Sequence, residues 1–287
     1  MNFFNKKMML MGTLLVCSAA AVQALPVALS AAGANAAAIQ GTVDAFRASL
    51  GTLNPNAVGS FGSGRREINW DGVPDAFSAP NNLPANFFNS NSPRGAQFAT
   101  PGTGFQVSAN AGVAPVEFGN IDPNYPGIFT TFSLQRLFTA LGSNIVDINF
   151  FIPGTSTAAL TSGFGSVFTD VDLANTTSIE FFNVLNASLG QFFVPNAVGD
   201  ETLSFLGVRF TEGSVVSRVR ITSGNQILAP GNTANDLVVM DDFIYGEPVL
   251  LARQLPEPSV AWLLLMGLGG LAGMAAIRRR RELVMQG

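Results

Sequence analysis

The sequence predicts a mainly β protein whose body is an antiparallel β-sandwich resembling a jelly roll, with one short N-terminal helix and a C-terminal transmembrane helix. Three observations predict the body. From Arg65 onward, apolar residues recur with a period of two in about ten short runs. Gly, Pro and Asn separate these runs at close intervals. Phenylalanine is abundant, at 24 of 287 residues, which suits a core packed between two sheets.

Residues 1–38 have the composition of a leader and a small-residue region. Asn5-Lys6-Lys7 precedes the apolar stretch 8–22, and small residues follow. A basic start, an apolar segment and small residues are typical of a secretory signal peptide, and a retained membrane anchor is the alternative. Two small-x-small cleavage sites are present, Val22-Gln23-Ala24 and Ala34-Asn35-Ala36.

Residues 39–64 predict a short helix and a linker. Four apolar residues follow the spacing i, i+4, i+7 and i+11, which marks one face of an amphipathic helix: Ile39, Val43, Phe46 and Leu50. Residues 53–64 are rich in Gly, Asn, Pro and Ser, so we expect a linker or a long loop there.

Residues 65–248 form the predicted β-sandwich domain. The strand-like runs are 67–70, 104–109, 129–134, 145–152, 165–173, 178–185, 188–194, 203–210, 215–222 and 237–245. In run 215–222, Val219 and Ile221 alternate with Arg218 and Arg220, so one face of the strand is apolar and the other is charged. Such short alternating runs with almost no helical periodicity between them favour antiparallel pairing.

The composition of the body excludes many kinds of active site. Between residues 25 and 256 there is no Cys, His or Lys, because the single cysteine is Cys17 in the leader. Ser-His-Asp triads, Cys-His dyads, Schiff-base lysines and thiolate or imidazole zinc sites therefore lack their essential groups. The same residues hold nine arginines and 17 carboxylates, a formal charge of −8, so we expect no binding to nucleic acid.

The C-terminus predicts a transmembrane helix. Residues 260–277 are 18 consecutive uncharged residues, just long enough to cross a bilayer. Arg278-Arg279-Arg280-Arg281 follows, which places the arginines in the cytoplasm and the body outside. Pro256-Glu257-Pro258 stands immediately before the helix.

Together, residues 255–282 resemble the PEP-CTERM sorting signal of Gram-negative bacteria that make exopolysaccharide. The resemblance implies an inner-membrane-anchored precursor, processing by an exosortase near Pro256-Glu257-Pro258, and a final place at the cell surface or in the extracellular matrix. The tail has also been labelled an ice-binding protein C-terminal domain. Segments such as 164–172 and 240–243 resemble the extracellular sandwich domains that often precede these tails. The alternative is an ordinary single-pass anchor.

Carboxylates are the remaining groups that could do strong chemistry, as glycosidase acid and base or as calcium ligands. The candidates are Asp71, Asp170, Asp172, Asp241 and Asp242. Because first and last strands are often neighbours in a jelly roll, we expect Asp71 to meet Asp241 or Asp242 at one rim. These three are the candidate calcium ligands, although pairing with Arg218, Arg220 or backbone amides would also satisfy the carboxylates.

Three aromatic side chains with a polar atom are candidates for stacking on sugar rings, and core packing is the alternative for each. They are Trp70, Tyr125 and Tyr245.

The sequence thus favours a non-enzymatic, exported surface or matrix protein that associates with exopolysaccharide through carbohydrate binding. A glycan-active enzyme that uses two carboxylates and a calcium-stabilised adhesin-like module are the alternatives. We expect no cofactor apart from a structural calcium ion. The expected partners are an exosortase-type membrane protease, the membrane before processing, and exopolysaccharide.

Overall fold

Alternating apolar residues form strands along most of the chain. The computed structural model describes residues 25–109, 116–233 and 236–251. The helices are α1 (Ala36–Leu50) and α2 (Phe87–Ser90), with single 3-10 turns at Asp75–Phe77 and Tyr125–Gly127. The strands are β1 (Pro26–Gly33), β2 (Arg65–Ile68), β3 (Ala96–Ala99), β4 (Gly104–Val107), β5 (Phe138–Leu141), β6 (Ile145–Phe150), β7 (Ala159–Leu160), β8 (Gly163–Thr169), β9 (Ser178–Phe182), β10 (Ser188–Phe193), β11 (Leu203–Phe210), β12 (Arg218–Thr222), β13 (Val239–Gly246) and β14 (Val249–Leu250).

Two antiparallel sheets enclose the main core. The first has the order β1-β11-β8-β13-β5-β4, with β2 also paired to β13, and the second has the order β10-β9-β12-β6-β3. Side chains such as Phe138, Phe164 and Phe243 of the first sheet share one buried cluster with Phe150 and Phe181 of the second. The predicted antiparallel β body is therefore confirmed.

Helix α1 covers the outer face of the first sheet. Its four predicted apolar residues are all buried and pack on Val167 and Phe205, among others. Gly165 and Gly207 face each other across β8 and β11, and a Cβ on either would lie less than 3 Å from the Phe46 ring. These glycines therefore let the helix approach the sheet closely.

Strand β1 lies in the segment that the sequence assigned to the leader. All eight of its residues pair with β11, from Pro26 opposite Phe210 to Gly33 opposite Leu203. Its small side chains resemble the end of a signal peptide, so composition alone concealed a strand. The folded body therefore starts by Pro26, well before the predicted boundary at residue 65.

The predicted strand at 129–134 is wrong. Phe129 instead belongs to a small buried cluster with Tyr125 and Leu137, and Leu134 is exposed. The chain turns at Gln135, which has φ of 82°, and the strand starts afterwards as β5. The observed strand therefore starts four residues beyond the end of the predicted run.

The predicted transmembrane helix at 260–277 and the sorting residues lie outside the described part of the chain. Within the three described ranges, the helices are too short or too polar to cross a bilayer.

Candidate functional site

The most unusual point of the first sheet is the bulge in β13 at Asp241 and Asp242. Strand β13 pairs with β5 at Met240 but with β2 from Phe243 onward, and its register against β8 shifts between these two residues. A regular strand would point consecutive side chains to opposite faces. At this bulge, both carboxyl groups instead lie within hydrogen-bond distance of Ser133 Oγ, which is 3.2 Å from Asp241 Oδ1 and 2.7 Å from Asp242 Oδ1.

Asp241 is the more deeply enclosed acid of the pair. Its Oδ2 accepts the backbone amides of Phe132 (2.6 Å) and Ser133 (3.1 Å). Burial, and next the charge of Asp242, raise the pKa of Asp241 well above its ordinary value. Burial also raises the pKa of Asp242, but the Ser133 hydroxyl and Arg47 oppose that rise. We therefore assign the proton to Asp241 and the negative charge to Asp242.

Arg47 of helix α1 neutralises that charge. Its Nη2 lies 2.8 Å from Asp242 Oδ2 and 3.2 Å from Glu67 Oε2, and Glu67 also binds Arg65 at 2.6 Å. Arginine pairing of Asp242 was predicted, but with the wrong arginines. Arg218 and Arg220 bind Asp147 of β6 instead, at 2.7 and 2.8 Å. Position 47 adjoins the apolar stripe of α1, and this is the sequence signal that could have identified it.

A two-part groove opens beside this network. The first compartment has a volume of about 370 Å³ and is bordered by the turn after β2, the 3-10 turn at Asp75–Phe77 and α2. The second has a volume of about 290 Å³ and includes Arg47, Glu67 and Asp242 in its lining. Asn69 and Arg94 line both compartments, so the two volumes adjoin. Amide, hydroxyl and charged side chains dominate the second compartment, and rings such as Phe77 and Phe87 contribute to the first.

The predicted stacking residues are packing residues in this structure. Trp70 is 1% exposed, and Tyr125 and Tyr245 are fully buried. The Trp70 ring stacks on Phe138 at 4.1 Å and its Nε1 donates to the Asp241 carbonyl at 3.0 Å. Buried rings offer no face to a sugar, so the stacking interpretation does not fit this geometry.

The predicted meeting of Asp71 with the Asp241–Asp242 pair is visible in the electrostatics. Burial, followed by the charge of Asp242, raises the pKa of Asp71 to about 6. One Asp71 oxygen, Oδ1, is buried without a hydrogen-bond partner. Across the described ranges, however, no three acidic side chains are grouped as ligands for a metal ion. The calcium site predicted at these three residues therefore has no preformed geometry here.

A second acidic region lies at the end of β8. Asp170 is 3% exposed, has φ of 67°, and leaves its Oδ1 buried without a hydrogen-bond partner. Burial, then the charges of Asp172, Asp200 and Asp236, raise the pKa of Asp170 to about 8. Asp236 is fully buried, but it accepts the Asp172 amide at 2.6 Å and also the Thr176 hydroxyl. Asp170 is therefore expected to be protonated at neutral pH.

Comparison with known families identifies the C-terminal segment. Residues 254–281 match the PEP-CTERM protein-sorting motif. The chain carries a PEP-CTERM sorting signal. No curated protein matches the sequence. The matched residues include those predicted to form the sorting motif, Pro256-Glu257-Pro258 and the four arginines Arg278 to Arg281.

The PEP-CTERM signal implies export, a membrane-anchored precursor, and processing by an exosortase, a membrane protein, to the cell surface. The match covers the tail alone, so it assigns no role to the sandwich or its groove. It gives no support to the ice-binding label.

Proposed function

We propose that this chain is a non-enzymatic surface protein of a Gram-negative bacterium, and that its sandwich binds exopolysaccharide in the extracellular matrix. The PEP-CTERM signal carries the proposal, because it implies processing to the cell surface, where a secreted polysaccharide would be within reach of the body. The groove supports it further. Amide and hydroxyl side chains that face a shallow opening, such as Asn56, Asn91 and Ser92, are suited to hydrogen bonding with sugar hydroxyls.

Binding is favoured over hydrolysis by the state of the two groove carboxylates. A glycosidase needs one protonated acid and one ionised carboxylate in the same cleft. Glu67 and Asp242 are both held by Arg47 Nη2, at 3.2 and 2.8 Å, so neither carboxylate of the second compartment is free to act as the acid. The proton of the region is assigned to Asp241, which is fully buried and satisfied by two backbone amides.

The mature N-terminus follows from strand β1. Cleavage after Ala36 would remove β1, whose eight residues all pair with β11, whereas cleavage after Ala24 would leave it intact. The backbone nitrogen of Leu25 lies 2.7 Å from Glu212 Oε2. A new ammonium group there would form an ion pair with Glu212. We therefore propose Leu25 as the first mature residue, and intact-mass analysis of the exported protein tests both ends together.

Sorting is tested by replacing the motif in the native host. Each proline fixes its own φ and biases the preceding residue away from the helix, which keeps an extended segment available to a protease. The double variant Glu257→Ala/Pro258→Ala should accumulate as uncleaved precursor in the membrane fraction. Pro101→Ala/Glu201→Ala, which changes exposed body residues of the same types, should be processed normally. Normal processing of the motif variant would contradict the sorting proposal.

Polysaccharide binding is tested by blocking the groove. Gly72 lines the first compartment and has open space around its Cα, so Gly72→Trp adds bulk there without a clash. Gly41→Trp is the matched control, because Gly41 is equally unobstructed but lies on helix α1. The unmodified exported protein and Gly41→Trp should bind matrix polysaccharide, whereas Gly72→Trp should lose about tenfold or more in affinity. Equal binding by all three would place the ligand elsewhere.

A further inference from the structure

Arg94 lies where the two compartments of the groove meet. It belongs to the loop between α2 and β3 and lines both volumes. Most of the other described arginines contact a carboxylate within 4 Å: Arg47, Arg65, Arg66, Arg136, Arg218 and Arg220. Within the described ranges, Arg94 forms no such ion pair.

The immediate surroundings of Arg94 leave its charge uncompensated. Its Nη1 donates to the Ser92 hydroxyl, and its guanidinium lies 5.2 Å from the centroid of the Phe88 ring. Its Nε is buried and has no hydrogen-bond partner. Burial lowers the pKa of Arg94, Tyr245 opposes this shift, and the positive charge of Arg66 adds to it. A partly buried guanidinium without an ion pair is costly, and because the Arg94 side chain lines the groove, an anionic group bound there would compensate its charge.

The acids of the groove do not supply that acceptor. Glu67 and Asp242 line the second compartment, but both are bound to Arg47 on helix α1. Of the two arginines that line the groove, Arg47 is therefore paired with carboxylates and Arg94 is the cation left to face a ligand. A guanidinium forms two parallel hydrogen bonds with a carboxylate, and neighbouring amides can bind hydroxyl groups.

We propose that the groove binds an acidic polysaccharide, with a uronic-acid carboxylate on Arg94 and sugar hydroxyls on the surrounding amide side chains. This inference rests on the proposed polysaccharide function and narrows it to one chemical class. The body carries a formal charge of −8 and so repels polyanions in general. Recognition must then come from this local contact, and we expect affinity to depend only weakly on salt, as one ion pair would give.

The experiment uses the exported protein and three probes: an oligogalacturonate, the same oligosaccharide with its carboxyl groups reduced to alcohols, and a sulfated polysaccharide. Arg94→Gln removes the charge and retains hydrogen-bonding groups. Arg209→Gln is the matched control, because Arg209 also lacks an ion pair among the described residues but lies on β11 and does not line the groove. Thermal unfolding establishes that both variants are folded.

The unmodified protein and Arg209→Gln should bind the oligogalacturonate about tenfold or more tightly than its reduced form. Arg94→Gln should bind both forms equally, with affinity close to that for the reduced form. If the unmodified protein binds both forms equally, the uronate inference fails while the polysaccharide function stands. Preference for the sulfated probe would replace carboxylate with sulfate as the ligand group. Failure to bind any probe, or matrix polysaccharide from the host, would overturn both proposals.

Discussion

The chain buries carboxylates in two ways. Around β13, the buried acids form ion pairs with arginines. Asp242 and Glu67 contact Arg47, and Glu247 contacts Arg66. At the end of β8, the buried Asp170 lies near the negative charges of three other aspartates. Within the described ranges it forms no ion pair with an arginine. The first region is neutralised by the protein itself. The second requires a proton or an external cation.

The comparison shows that burial of an acid does not by itself indicate a functional site. Asp241 is more deeply buried than Asp170, yet two amides and a hydroxyl satisfy it. What distinguishes a candidate site from such a satisfied acid is a buried polar atom without a hydrogen-bond partner. Asp170 Oδ1 at one end and Arg94 Nε in the groove are such atoms. Variants at these positions test whether the distinction is real.

The largest change in stability is expected at the most deeply buried ion pair, Arg66 with Glu247. Arg66 and Glu247 are both almost fully buried, and Arg66 donates to both Glu247 oxygens, at 2.6 and 2.9 Å. Arg66 also donates to the carbonyls of Pro55 and Gly59, so it anchors the long loop after α1. Glu247→Ala should lower the free energy of unfolding by about 3–5 kcal/mol, because it leaves a buried cation unpaired. Urea denaturation measures this loss.

The control for this prediction is an exposed pair of the same kind. Asp44 contacts Arg47 at 3.3 Å but is 58% exposed, so Asp44→Ala should cost less than about 1 kcal/mol. Replacing both members of the buried pair, as Arg66→Met/Glu247→Leu, should restore much of the stability that Glu247→Ala loses. If Glu247→Ala were as stable as the unmodified protein, the charge of Arg66 would not depend on Glu247 for its neutralisation.

Asp170 should show a smaller effect of opposite sign. Its folded-state pKa of about 8 lies far above the value of an unfolded aspartate, near 4. Between these pH values unfolding releases a proton, so the stability of the unmodified protein falls as pH rises. Asp170→Asn removes this loss. The variant should therefore be more stable by about 2–3 kcal/mol at pH 6 and nearly equal to the unmodified protein at pH 4, as measured by urea denaturation at each pH.

Calcium provides the test of what neutralises this second region. If a proton does so, added calcium or chelator should leave the melting temperature of the unmodified protein unchanged. A melting temperature that rises with calcium in the unmodified protein, but not in Asp170→Asn, would show that a cation is the native partner. It would also support the calcium-stabilised alternative at different residues from those that the sequence predicted.

Strands and the first helix were predictable because they depend on local periodicity. Run 203–210 coincides with β11, and the four apolar residues of α1 are all buried. Strand β1 was not predicted because its small residues also suit a leader. The strand β3, Ala96–Ala99, was missed because four residues with one large apolar side chain, Phe98, give too weak an alternation. The sorting signal was predictable because all its parts lie within one short segment.

The groove could not be predicted because its contacts join distant parts of the chain. In the second compartment, Arg47 and Asp242 are 195 residues apart, and Ser133 and Asp242 are 109 residues apart. The sequence gives only a weak indication that Arg94 is unpaired, which is that no acidic residue lies between Asp75 and Glu117. The rim that brings Asp71 towards Asp242 was predictable, because it follows from pairing of the first and last strands of the predicted domain.

The smallest effect, and the finest test of internal neutralisation, concerns the two acids of the bulge. If Asp241 holds the proton, it resembles an amide: Asp241→Asn keeps an oxygen for the Phe132 and Ser133 amides and an N–H for Ser133 Oγ. Its cost should be below about 0.5 kcal/mol. Asp242→Asn instead removes the charge that faces Arg47, although Glu67 still contacts that arginine. Its cost should be about 1 kcal/mol, measured by urea denaturation at neutral pH. The reverse order of the two costs would place the charge on Asp241, and Arg47 would then not be what neutralises the pair.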